Sequence, residues 1–189
     1  AQRGLDFGPP AGGDHMTPED LIQRFHLAPL TGEGGLYRRT YCSARELPAE
    51  AFGPQYPAGT RKAAGSAIEY LITPQSYSRL HRLPTDEVYH FYLGDPVEML
   101  QLYPDGTGKV VRMGQDILHG EELQLTVPRG TWQGTRLVPG GQWALLGTSM
   151  APGMEFHDYE DGDQELLIKQ YPQFRDLLEH LAGGPIYES

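Results

Sequence analysis

An all-β domain, built as an antiparallel sandwich or barrel, is the fold class this sequence predicts, and three observations predict it. Short β-prone apolar runs recur between Leu36 and Met150, among them "GLYRRTYC", "SAIEYLIT", "EVYHFYLG", "VEMLQLY", "KVVRM", "LQLTV", "TWQGTRL" and "QWALLGTSM". The 24 glycines and 16 prolines exceed a fifth of the chain but lie scattered between those runs, which implies many turns. Asp105-Gly106 and Gly140-Gly141 each fall between two runs, where a hairpin is expected.

Taken in order, residues 1–14 are rich in Gly and Pro without periodicity and are expected to form a flexible N-terminal arm. Residues 15–189, of a size that supports one core, form a single domain. Its first element is a short amphipathic helix. Thr17 is the N-cap, Pro18 stands at N1 and Asp20 near N3, with Leu21, Ile22 and Phe25 on one face. The stretch from Ala44 to Gly65 has no clear period and is expected to be a long loop. After the strand region the composition turns acidic. "PQFRDLLEHL" then places Phe174, Leu177, Leu178 and Leu181 at helical spacing, so the chain is expected to end in a helix packed outside the barrel.

A formal net charge of −10 repels a phosphate backbone or an anionic membrane surface on average, so no nucleic acid and no membrane is expected as a partner. No apolar run reaches about 18 residues, which with a lone cysteine and no asparagine predicts a soluble cytoplasmic protein. Cys42 is expected to be a small buried hydrophobe. Local basic residues, including Arg38, Arg39, Arg79 and Arg82, leave room for a pocket that binds a polar ligand.

The densest chemistry lies in "SRLHRLPTDEVYHFYLG". Strand alternation puts Glu87, Tyr89 and Phe91 on one face and Val88, His90 and Tyr92 on the other, so Glu87 and His90 do not converge. If the preceding run is extended too, Arg79 and His81 share a face, and the turn at "LPTD" returns Glu87 beside them. His81 has the intrinsic pKa for general acid/base work, and an ion pair with Arg79 would hold Glu87 charged. His90 reads as structural. Gln133, with Thr131 and Thr135 if they share its face, offers hydrogen bonds to a polar ligand. "GEGG" at 32–35 precedes a strand and not a helix, so it fails the context of a phosphate loop, and "HDYEDGD" reads as solvated acidic surface.

These residues resemble the cupin superfamily. His81, Glu87 and Gly94 match the spacing of its first motif, and "VPRGTWQG" is similar to the second. Leu83 stands where the second motif histidine belongs, and Gln133 where the last one does. The order of "EGGLYRRTY", "SAIEYLIT", "SRLHR", "DEVYHFYLGDPVEML", "MGQDILHGEELQ", "VPRGTWQG" and "WALLGTSMAPGMEF" resembles the Cupin_5 (DUF985) branch, with Leu36, Arg39 and Glu69 departing from its usual residues. That resemblance implies a cupin jelly-roll (double-stranded β-helix) barrel with a short N-terminal helix and a C-terminal helical segment, a homodimer, and a polar cavity. The expected function is metal-independent proton transfer by an epimerase, isomerase or cyclase. His81 and Glu87 would be catalytic, and Arg79, Tyr89, Phe91, Gln133, Arg38 and Tyr70 would bind ligand. Alternatives are a non-catalytic binding module, or an oxygenase-like metalloenzyme. No cofactor is expected. A divalent metal, if one were bound, would rest on His81, Glu87 and Gln133.

Overall fold

The computed structural model describes residues 16–182. The arm and the lower domain boundary expected around residue 14 lie outside them. Helix α1 (Pro18–Phe25) starts as its sequence dictates: the Thr17 side chain accepts from the Asp20 backbone N–H, and the Asp20 carboxylate returns the bond.

The strands are β1 (Ala28–Pro29), β2 (Leu36–Cys42), β3 (Glu46–Pro48), β4 (Arg61–Ala63), β5 (Ser66–Ile72), β6 (Ser78–Arg82), β7 (Glu87–Gly94), β8 (Val97–Leu102), β9 (Gly108–Met113), β10 (Gln124–Val127), β11 (Trp132–Leu137), β12 (Ala144–Met150) and β13 (Glu160–Asp161). Two antiparallel sheets face each other as a jelly roll, one in the order β1-β2-β5-β12-β7-β10 and the other β13-β6-β11-β8-β9. All eight expected runs are strands. The β8–β9 hairpin turns at Gly106, whose φ of 86° suits glycine alone among ordinary residues.

Other expectations give way to the topology. Gly140-Gly141 makes no hairpin, because β11 and β12 belong to different sheets. "LPTD" likewise crosses between sheets, so Glu87 faces β6 from the opposite wall and does not lie beside it. The expected loop at 44–65 contains the small antiparallel pair β3–β4 and a turn of 3₁₀-helix at Ala49–Phe52. Its Lys62 is buried against Asp158, so "HDYEDGD" is not wholly solvated surface. Cys42 is exposed, not buried, because it ends β2 where no described residue covers it.

Three apolar layers follow from alternation. Tyr70, Tyr89, Phe91 and Leu146 of one sheet meet Val97, Met99 and Leu137 of the other. Leu71 and Leu145 turn outward under Leu21 and Leu27 of the α1 region. Leu80, Leu100 and Leu102 turn outward on the second sheet and are covered by Leu167, Leu178 and Leu181 of α2 (Gln164–Gln170) and α3 (Arg175–Ala182). Each such buried leucine contributes about 1.5–3 kcal/mol. Because both faces of β8 are covered, five of the six residues of "VEMLQL", Gln101 among them, are buried.

Candidate functional site

The site begins with an irregularity in β6. Register with β11 pairs His81 with Gln133 but Ser78 with Thr135, so three steps on one strand oppose two on the other. This β-bulge turns both Ser78 and His81 into the barrel and leaves Arg79 at the side. Arg79 therefore does not share a face with His81. Its guanidinium reaches Asp161 at 3.3 Å and makes no ion pair with Glu87. Its carbonyl accepts the His81 Nδ1–H at 2.7 Å, which fixes the tautomer and leaves His81 Nε2 a bare lone pair, buried and without a hydrogen-bond partner. His81 also stacks on Tyr159 with ring centroids 5.0 Å apart. Burial lowers its pKa, so the imidazole is neutral.

Across the interior, Glu87, Tyr89 and Phe91 all point inward from β7, as alternation requires. Glu87 accepts a 2.8 Å bond from Gln133 Nε2 and is also hydrogen-bonded by Thr148. Phe91 packs in the core, whereas Tyr89 and Tyr70 line the cavity. His90 points to the outer face and contacts Ser149 at 2.9 Å. Arg38 lies on the outer face of β2, paired with Glu69 at 2.8 Å, and so does not reach the cavity; Glu69 likewise leaves the pocket's shape alone. Thr131 and Thr135 are both buried, and the Thr135 hydroxyl has no partner.

The residue that the sequence did not reveal is Glu33. It sits in the turn before β2, where Gly34 and Gly35 take φ of 93° and 71°. Hydrogen bonds pin this turn to the barrel: the Arg79 backbone N–H donates to the Glu33 carbonyl at 2.8 Å, and the Tyr70 hydroxyl to the Gly34 carbonyl at 2.8 Å. The Glu33 side chain accepts from Ser78 Oγ at 3.0 Å and enters the cavity that Glu87 also lines. The signal available was "EGG" placed directly before a strand, a carboxylate on a turn that only glycines can make so tight.

Neither Glu33 nor Glu87 forms an ion pair among the described residues. Burial raises the pKa of each to about 7, and for Glu87 the neighbouring charge of Glu33 adds to the rise. At neutral pH the two carboxyls thus hold roughly one proton between them. Burial also pushes the Tyr70 and Tyr89 phenols well above their ordinary range, so both keep their protons. The free space in the cavity is about 40 Å³, with room for only a few water-sized groups, and Leu83, Thr148 and Met150 complete much of its wall. His81 and Gln133 stand behind Glu87 and outside that wall.

The residues present do not form a metal cage of the kind known from cupins. Leu83 lines the cavity where a second histidine would point inward, and Gln133 turns its amide N–H to Glu87. Among the described residues no three His, Cys, Asp or Glu side chains are grouped to hold a metal ion.

Comparisons agree with this architecture. The family model "Cupin superfamily (DUF985)", Cupin_5, matches residues 19–161. The uncharacterized protein YML079W of Saccharomyces cerevisiae is 27% identical over 158 residues, spanning 80% of this chain and 73% of its own. A hypothetical protein from Leishmania major superposes with a TM-score of 0.77 at 30% identity, covering 88% of this chain and 99% of its own. Protein SO0799 from Shewanella oneidensis does so with a TM-score of 0.76 at 29% identity, over 90% of this chain and all of its own. With its jelly roll, its ordered motifs and a family match over most of its length, this chain belongs to the Cupin_5 (DUF985) family of the cupin superfamily.

Proposed function

We propose that this small-molecule cupin protein is an enzyme that moves a proton on a polar ligand held in the barrel cavity, as an epimerase, isomerase or cyclase does, without a metal. One observation carries the reading: two carboxyl groups, Glu33 and Glu87, line one small cavity with no basic side chain among the described residues paired to either and with pKa values raised to about 7. A pair that holds one proton at neutral pH offers a base and an acid at once. General acid/base groups are most effective when their pKa lies near the working pH. The ionised member takes the proton from the ligand, and the protonated member returns one to another atom.

His81 serves Glu87 from behind. Its tautomer is fixed by the Arg79 carbonyl, and because Nε2 makes no hydrogen bond to Glu87, a proton that Glu87 gives up would reach it through one bridging water and return the same way. Gln133 orients the Glu87 carboxyl through its 2.8 Å bond. Arg79, tied to Asp161, sits at the side of this group and has no assigned step.

The test is deuterium uptake from D₂O into a panel of small hydroxy-carbonyl compounds, followed by NMR. Wild-type protein is expected to exchange at least one of them. Glu87→Gln should slow that exchange by about 10²–10⁴-fold, the usual worth of a positioned acid or base, and His81→Gln by a smaller factor. A folded Glu87→Gln variant that exchanges at the wild-type rate overturns the assignment. A compound that raises the melting temperature but is never exchanged or consumed supports a binding module in place of an enzyme.

A further inference from the structure

The cavity is lined by two carboxyl groups, Glu33 and Glu87, and neither has an ion-pair partner among the described residues. Outside the cavity wall, His81 Nε2, Gln133 Oε1 and the Thr135 hydroxyl are buried with no hydrogen-bond partner, so they do not decide what the cavity holds. His81 Nε2 can only accept while Nδ1 carries the proton given to Arg79, and an amide oxygen only accepts. Gln133 spends an amide hydrogen on Glu87 and Ser78 its hydroxyl on Glu33. The remaining wall is largely apolar, with Tyr37, Tyr70, Tyr89 and Phe156 among aliphatic side chains, and Arg39 also lines it.

We propose that the cavity receives the ammonium group of a small amine between Glu33 and Glu87, with the organic remainder against the Tyr89 and Phe156 rings. An alkylammonium group has three donors, no acceptor and a positive charge that aromatic faces attract. It supplies the positive partner that neither carboxyl has among the described residues, whereas an anion there would meet two carboxyls. Two buried donors nearby, Arg79 Nε and Nη1, also lack partners, but that side chain extends to Asp161 and is not part of the cavity wall. The inference rests on the reading of the barrel cavity as the ligand site and names the class of ligand it takes.

Binding of a cation expels the proton that the carboxyl pair shares, so in the amine complex the carboxylates are the bases and an N–H of the ligand's own ammonium group takes the place of the protonated carboxyl as the acid. The charged and titratable groups facing the pair are His81 and Arg79 on β6, Tyr70 and Tyr89 on their strands, and Tyr159 and Asp161 beyond His81, with Arg39 at the cavity edge. Burial keeps His81 neutral and the tyrosines protonated, so the pair itself titrates near neutrality, at about 7. Affinity should rise with pH through that value, by up to about tenfold per pH unit for one proton released.

The experiment is calorimetric titration of the full chain with the chlorides of methylammonium, ethanolamine and choline, and with ethylene glycol and sodium acetate, at pH 6 and pH 8 and constant ionic strength. At least one ammonium probe is expected to bind, more tightly at pH 8, with proton release visible between buffers of different ionisation enthalpy. Glu33→Gln or Glu87→Gln, checked as folded by circular dichroism, should weaken it at least about tenfold, since a buried charge partner is worth more than that. Binding of glycol or acetate instead, lost in Glu87→Gln, leaves the cavity as the ligand site but overturns the ammonium assignment. Failure of every ammonium probe, or ammonium binding that both folded variants retain, also overturns it.

Discussion

Replacing Glu87 by Gln should stabilise this protein above neutral pH. In the unfolded chain Glu87 titrates near the ordinary 4.5, whereas in the fold burial and Glu33 raise it to about 7. Between those values the folded state holds a proton that the unfolded state has released, so stability falls as pH rises and the loss is complete above about pH 8. A difference of roughly 2.5 pKa units at about 1.4 kcal/mol each makes the loss ~3 kcal/mol. Glutamine has the same shape, carries no charge, and still accepts the Gln133 amide N–H that Glu87 accepts at 2.8 Å. The variant should therefore recover most of that amount at pH 8, a gain of roughly 6–12 °C in melting temperature at 2–4 °C per kcal/mol for a chain of this size, and little at pH 5. His81 works in the opposite sense: its lowered pKa favours the fold above about 6.5 and costs stability as pH falls below it. Removing Glu87 also removes the charge that raises the His81 pKa, which lowers it further, so the difference reports the carboxyl above about pH 7, where His81 is neutral in both proteins. Urea unfolding at pH 5, 6, 7 and 8 measures it. A Glu87→Gln protein no more stable than wild type at pH 8, or a stability difference that does not change with pH, refutes the reasoning.

Two further outcomes are expected. Gly34→Ala places a methyl group 2.3 Å from the Tyr77 carbonyl oxygen at a φ of 93°, which should cost at least ~2 kcal/mol by thermal melting and, by displacing Glu33, flatten the pH dependence of stability between pH 6 and 8. Asp158→Ala strands the Lys62 ammonium, whose side chain is 1% exposed, and should cost ~3–5 kcal/mol in urea, whereas the pair Lys62→Met with Asp158→Leu should regain most of it.

Much of the fold was legible because it depends on local chemistry. Thr17, Pro18 and Asp20 start α1 by capping alone, and period-two alternation sorts Glu87, Tyr89 and Phe91 from His90. What was not legible depends on pairings between distant segments. A bulge between Ser78 and His81 exists only in relation to β11, so alternation within β6 misassigned Arg79. The sheet to which a turn delivers its next strand is equally invisible in the turn, which is why "LPTD" and Gly140-Gly141 both read as local reversals. At the site, motif spacing singled out His81, Glu87 and Gln133, which the structure brings together. It said nothing of Glu33, whose position comes from Arg79 and Tyr70 holding its turn against the barrel.

The Lys62–Asp158 pair bears on folding kinetics as well as on stability. It joins segments 96 residues apart and fastens the β3–β4 excursion to the turn carrying Phe156, which forms part of the cavity opening. Contacts of such long sequence separation form after the loops between them have paid their closure entropy. The opening is therefore finished only when the chain beyond β12 has docked. A ribosome-bound or truncated chain ending before Asp158 would carry Glu33 on its turn and Glu87 on its strand yet hold no defined doorway between them and solvent. Competence to select a ligand is thus tied to the docking of a segment that follows the whole β1–β12 barrel in the chain.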